Sequence, residues 1–183
     1  MAVNIHDSFL TKELWDEVWK EIDWATQNYV WNINNFKWEQ NLVCGSPPVL
    51  LHGLQNANNK ELFQKLIEWD MAKMPHTREL YGNPKLSVSK IIYLWTNGSY
   101  ITWHGDETYY WASSLYLNKE WDPNWGGYFM HEENERVISI PPVPNRCVEQ
   151  TEQVQHTVNE IRLGDTIPFR ISLQTFLMES EEE

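Results

Sequence analysis

From residue 86 onward the sequence falls into short β-prone runs separated by turn signals, and few folds accommodate that rhythm. Ile91-Ile92-Tyr93-Leu94-Trp95 is a β-branched and aromatic run closed by Thr96-Asn97-Gly98, a hairpin signal. Tyr100 to Trp103 and Tyr109 to Leu117 read as further strands. Asp122 to Gly127 reads as a turn, and Tyr128-Phe129-Met130 resumes extended structure. The segment from His131 to Pro144 reads as a longer loop, and Arg146-Cys147-Val148 as a short strand. Phe169 to Leu177 alternates as a half-buried strand does, with Arg170 and Ser172 on one face and Ile171 and Leu173 on the other. Strands this short and frequent predict a sandwich or jelly roll, mainly β with flanking helices.

The first 86 residues have a different texture. Leu14, Trp15, Val18, Trp19 and Ile22 carry a helical period that Thr11 is placed to cap. A second helix is predicted over residues 59–74, with Leu62, Phe63, Leu66, Ile67 and Met71 on one side. Between them Trp31, Phe36 and Trp38 sit in an Asn-rich stretch of loops and short strands, ended by Ser46-Pro47-Pro48. Pro75 and Gly82-Asn83-Pro84 close the helical half. Both helices are expected against the back of one sheet, within a single domain spanning 1–183. Residues 87–178 form its β core, and 179–183 an acidic tail expected to be disordered.

Composition excludes several function classes. A net charge of −12, with 14 Lys and Arg in 183 residues, argues against a nucleic-acid surface and against docking on anionic membranes. No apolar run approaches a membrane span and no leader-like segment opens the chain, so a soluble, cytoplasmic protein is expected. Cys44 and Cys147 are too few for a disulfide framework and read as free thiols, a single bridge between them staying open. Neither has CxxC spacing, and no GxGxxG loop supports a nucleotide. His6, His52, His76 and His131 lack partners at ligand spacing and are assigned structural or solvated roles. The 11 tryptophans are read as packing residues before ligand platforms.

The residues that carry chemistry are His104, Asp106, His156 and Arg170. On an extended strand His104 and Asp106, two positions apart, leave the same face of the sheet. The pair alone also fits a surface turn. His156 lies fifty positions on (156 − 106) and completes two imidazoles and one carboxylate, the facial set of non-haem Fe(II) oxygenases. Fourteen positions further (170 − 156), Arg170 sits in a strand where a guanidinium is costly to bury without an anion. Its planar fork suits a carboxylate, and Ser172 can add a hydrogen bond. A dicarboxylate co-substrate would satisfy both ends, one on the metal and one on Arg170.

Residues 88–178 resemble the 2-oxoglutarate- and Fe(II)-dependent dioxygenases, most of all their prolyl 4-hydroxylase-like branch. The resemblance rests on His104-Gly105-Asp106, Ser114-Leu115-Tyr116-Leu117-Asn118, Trp121, Gly126-Gly127, Asn145-Arg146-Cys147-Val148, His156-Thr157-Val158 and Arg170-Ile171-Ser172, in the family's order. It implies a double-stranded β-helix with His104, Asp106 and His156 ligating iron at its mouth. It also implies Arg170 and Tyr116 on the distal carboxylate of 2-oxoglutarate, with O2 as co-substrate and ascorbate as a supporting reductant. The interval between His156 and Arg170 is longer than in prolyl hydroxylases, with residues 164–168 as an extra turn, which brings Arg162 in as a rival anchor. A prolyl residue in a peptide is the substrate the resemblance implies; a free amino acid or small metabolite stays open, as does oligomeric state. Glu107 to Trp111 and the 131–144 segment are expected to wall the site, with Tyr109, Tyr110 and Trp111 either stacking on substrate or packing. A non-enzymatic cupin-like or carbohydrate-binding jelly roll is the rival class.

Overall fold

The computed structural model describes residues 3–34, 47–106, 108–151, 154–164 and 167–180. Strand β1 (Val3–His6) is followed by helix α1 (Lys12–Gln27), β2 (Asn32–Asn34), β3 (Val49–Gly53), α2 (Leu62–Lys73) and the short α3 (Thr77–Tyr81). The β-rich half comprises β4 (Leu86–Trp95), β5 (Ile101–His104), β6 (Tyr109–Tyr116), β7 (Phe129–Glu133), β8 (Arg136–Ile140), β9 (Cys147–Gln150), β10 (His156–Val158) and β11 (Arg170–Glu179). Trp38 and Cys44 lie outside the described residues.

The strands form two antiparallel sheets. The larger runs β1-β9-β6-β11-β4-β3-β2 and the smaller β5-β10-β7-β8. This is the jelly roll that the strand rhythm predicts. From β4 to β11 the chain crosses between the sheets at every connection except β7–β8, which corrects one expectation. Thr96-Asn97-Gly98 does not close a hairpin: β4 is already flanked by β11 and β3, so the turn carries the chain across to β5, which pairs with β10. Gly98, at φ +83°, is held there by donating its N–H to the Ile161 carbonyl at 2.7 Å.

The 131–144 segment is the second correction. Residues 131–140 belong to a hairpin rather than a loop, β7 and β8 pairing from Phe129↔Ile140 to Glu133↔Arg136, and only 141–144 lies outside the strands. Its two-residue turn puts Asn134 and Glu135 at φ 50° and 61°, both left-handed. At the C-terminus, Glu179 belongs to β11 and Ser180 donates to the Lys85 carbonyl, so the ordered chain extends into the expected tail.

Both long helices lie on one face of the larger sheet, as their apolar stripes predict. Thr11 caps α1 by accepting from the Leu14 N–H, and Val18 and Ile22 pack with Leu62 and Leu66 of α2 against Ile92, Leu94, Leu115, Leu173 and Leu177. Alternation then aims the other residues of the same strands, Trp95, Ser114, Tyr116, Arg170, Ser172 and Gln174, between the two sheets. Near the helix-covered face, Lys90 is buried and neutralised by Asp70 at 2.6 Å. No helix of the described residues is long and apolar enough to cross a membrane.

Candidate active site

The smaller sheet brings the two histidines together by register. His156 stands opposite His104 across β10 and β5, and their rings lie 4.2 Å apart. Asp106, just past the end of β5, places its carboxylate oxygens 3.7 Å from His104 Nε2 and 3.6 Å from His156 Nε2. The potential ligand atoms all fall within 4.8 Å of one another, a set that can hold a metal ion. Each ring is oriented by its own strand. His104 Nδ1 donates to the Thr102 carbonyl at 2.8 Å, and His156 Nδ1 to the Val154 carbonyl at 2.9 Å. With Nδ1 protonated in both, Nε2 keeps its lone pair toward Asp106. Burial pulls the His156 imidazole below its ordinary pKa, against the pull of Asp106, which favours the neutral form a metal requires.

Across the cavity, β11 contributes Arg170. It is 1% exposed, and Nε and Nη1 have no hydrogen-bond partner. Among the described residues no carboxylate pairs with it. Its guanidinium lies 5.4 Å from the Trp95 ring and 5.0 Å from the Tyr116 ring, so aromatic faces hold it in place without neutralising it. Burial depresses its pKa, opposed by the neighbouring Tyr116. The Tyr116 hydroxyl is itself buried and unpartnered, its pKa raised by burial against the pull of Arg170. Ser172 accepts from Trp95 Nε1 at 3.1 Å and from Gln174 Nε2 at 3.0 Å. With both lone pairs so engaged, its hydroxyl has a proton left to donate.

His104, Asp106, His156 and Arg170 line one cavity, which is partly open to solvent. No family profile matches the sequence, and no curated protein is a detectable sequence relative. Solved structures are similar in shape. A prolyl 4-hydroxylase of Pseudomonas putida superposes with a TM-score of 0.72 at 16% identity, covering 98% of this chain and 93% of that one. A prolyl hydroxylase of Trichoplax adhaerens, solved with a hypoxia-inducible-factor peptide fragment, gives 0.75 at 16% identity over 97% and 84%. A non-haem α-ketoglutarate-dependent carbocyclase of nogalamycin biosynthesis gives 0.68 at 11% identity over 97% and 79%. The chain has the 2-oxoglutarate oxygenase fold, in its prolyl hydroxylase-like form.

Within that fold the residues singled out from the sequence separate clearly. His104, Asp106, His156 and Arg170 converge, with Tyr116 and Ser172 packed around the guanidinium. Arg162 does not join them: its side chain is 73% exposed and pairs with Glu160 at 2.8 Å. Trp111 is buried on the helix side of the sheet, Tyr110 is exposed with its hydroxyl on Glu179, and Tyr109 stacks on Phe176 of the cavity wall. His6 and His76 bind Glu149, and His52 binds Glu21 in the interior. His131 is buried in register beside His156.

Three residues around Arg170 escape a reading by residue type. Asn118 donates to the Phe169 carbonyl and accepts from the Ile171 N–H, clamping the backbone on both sides of Arg170. Gly127, at φ +65°, leaves the space the arginine occupies: a Cβ there would lie 2.9 Å from Arg170 Cδ. Trp95 both flanks the guanidinium and holds Ser172. Asn118 and Gly127 belong to motifs of the resemblance, but register with Arg170 is what gives them a task.

Proposed function

We propose that the protein is an Fe(II)- and 2-oxoglutarate-dependent dioxygenase that hydroxylates a C–H bond, with a prolyl residue in a peptide or protein as its substrate. The observation that carries this reading is a fully buried arginine with two unpaired guanidinium nitrogens, facing the same cavity as two histidines and a carboxylate. An uncompensated buried cation is unfavourable by several kcal/mol, so the site is built for an anion. A ligand with a carboxylate for Arg170 and oxygen donors for a metal satisfies both ends of the cavity. The donor set fits a divalent metal with neighbouring positions open, and the orphaned Arg170 and Tyr116 atoms fit a carboxylate.

When bound with O2, Fe(II) and 2-oxoglutarate supply an oxidative decarboxylation that yields succinate and CO2 and whose oxidising power hydroxylates the substrate. The chain's residues do the positioning. His104, Asp106 and His156 hold the metal from one side, their tautomers set by the Thr102 and Val154 carbonyls. Arg170 grips the distal carboxylate through its guanidinium, Tyr116 and Ser172 donate hydroxyl protons to it, and Asn118 and Gly127 keep the arginine in register. Phe129, Phe176, Val158 and Ile101 give the cavity apolar walls that exclude water from the C–H bond. The buried thiol of Cys147 is compatible with a reducing, cytoplasmic setting.

The test is succinate release with Fe(II), ascorbate and 2-oxoglutarate, and a search for a mass gain of one oxygen on a proline-rich peptide set and on free L-proline. Peptide hydroxylation supports the full reading. Hydroxylation of the free amino acid alone removes the peptide substrate and leaves the dioxygenase. Absence of succinate under every condition, in a metal-loaded protein, removes the dioxygenase.

A further inference from the structure

Gln150 is a polar residue of the cavity wall that the described residues leave without a side-chain hydrogen bond. It ends β9, is 7% exposed, and lines the cavity, yet its carboxamide makes no hydrogen bond with any described residue. Its neighbour Gln174 behaves differently: Oε1 accepts from Ser114 at 2.5 Å and Nε2 donates to Ser172, so both ends of that amide are engaged by the wall. The Gln150 amide is therefore free to meet a ligand in the cavity.

Register shows which part of the ligand meets Gln150. It stands opposite Ala112, which stands opposite Phe176. Phe176 lies six residues along β11 from Arg170, about 20 Å of strand. Gln150 therefore belongs to the other end of the cavity from the carboxylate anchor, among apolar groups: Phe176 beside it and Phe129, Val158 and Ile101 on the facing sheet. A primary carboxamide offers one acceptor and two donors, so one of its edges matches the C=O and N–H of a peptide group.

We infer that Gln150 forms a subsite for one backbone amide of a peptidyl substrate, holding an apolar residue of that peptide with its C–H bonds toward the triad. This deepens the oxygenase reading and rests on it. The probes are N-acetyl-L-proline N-methylamide and N-acetyl-L-proline methyl ester, which differ in the N–H and in the strength of the carbonyl acceptor. The protein is loaded with Mn(II) and 2-oxoglutarate, and binding is read from paramagnetic broadening of the probe's proton signals. The parent should bind the amide about tenfold more tightly than the ester, because a site built to hydrogen-bond discriminates against an analogue that cannot. Gln150→Leu should bind both probes alike and leave 2-oxoglutarate affinity unchanged. Gln150→Glu keeps the size and an acceptor but loses the donors; it should also lose the preference, and it carries the test if the leucine variant does not fold. Equal binding of the two probes by the parent, absence of broadening for both, or a preference surviving in the variants overturns the subsite. Weakened 2-oxoglutarate binding in the variants overturns it too, by assigning Gln150 to the co-substrate. Failure of the oxygenase reading is distinguishable, since it shows as absence of succinate whatever the probes do.

Discussion

The unusual feature at the scale of single residues is how little of Arg170 the protein satisfies. Trp95 and Tyr116 supply faces, Asn118 fixes the backbone and Gly127 supplies room, but Nε and Nη1 wait for a partner. Arg170→Ala should therefore weaken 2-oxoglutarate binding by roughly 2–5 kcal/mol, at least about thirtyfold in Kd. Tyr116→Phe should cost about fivefold, since one neutral hydroxyl contact is lost. Arg162→Ala should change little, its side chain being solvated and paired with Glu160. Calorimetric titration of 2-oxoglutarate into Mn(II)-loaded variants checks the order, and a larger effect at Arg162 would move the anchor. Gly127→Ala tests the support: its Cβ would meet Arg170 Cδ at 2.9 Å at a φ of +65°, so 2-oxoglutarate affinity should fall though no ligand contact is removed. Affinity equal to that of the parent would mean the arginine shifts freely. The triad and Arg170 were legible in the sequence because a histidine and a carboxylate two positions apart, a second histidine and an arginine in an alternating strand have few other reasons to occur together. Gln150 was not, because a glutamine is ordinary anywhere and only the fold places it on the cavity wall.

At the scale of elements, the sequence's failures share a cause. Helices announced themselves through Thr11 and the Leu62-to-Met71 stripe, and the strands through alternation. What alternation omits is which strand a turn leads to, so Thr96-Asn97-Gly98 passed for a hairpin and the β7–β8 hairpin for a loop. Asn134-Glu135 lacks the glycine that usually marks a two-left-handed-residue turn. Glu135→Gly should consequently stabilise the hairpin by about 0.5–1 kcal/mol, a rise of roughly 1–4 °C in Tm, readable by thermal melting. A lower Tm would mean that the Glu135 side chain contributes more than its backbone strain removes. The edge strand β1 is fastened by a different device. Glu149, buried, accepts from Asn4, His6 and Trp111 and from His76 at 2.6 Å. Burial alone would raise its pKa, but the bonds from His6, Trp111 and Asn4, with the charge of His76, bring it below the usual 4.5. A depressed folded pKa adds stability that is complete above the unfolded value and disappears as pH falls through the folded one. Below about pH 4.5 the parent's Tm should thus fall more steeply than that of Glu149→Gln. Parallel melting curves from pH 7 to pH 3 would show that this carboxylate does not titrate with unfolding.

For the molecule as a whole, the question is whether the metal site holds the fold together. The main apolar core lies between the larger sheet and the two long helices, while the triad sits on the smaller sheet and just beyond β5. Folding should therefore precede metal binding, and binding should add stability by mass action alone. A metal present at a hundredfold excess over its Kd adds about 2.7 kcal/mol, worth roughly 5–10 °C in a chain of this length. The net charge of −12 complicates the experiment, because an acidic protein attracts any divalent cation. Salt separates the two effects. Diffuse attraction is screened at 0.5 M NaCl, where the Debye length is only a few ångströms, whereas coordination by two imidazoles and a carboxylate survives. Mn(II) or Co(II) should accordingly raise Tm in high salt while Ca(II), which prefers oxygen ligands, should not. His104→Ala and Asp106→Ala should each melt near the metal-free parent and lose the rise. 2-Oxoglutarate should extend it in the parent and fail to do so in Arg170→Ala. A rise in high salt that persists without His104 or Asp106 would place the bound ion elsewhere on the acidic surface and remove the metal centre from this cavity.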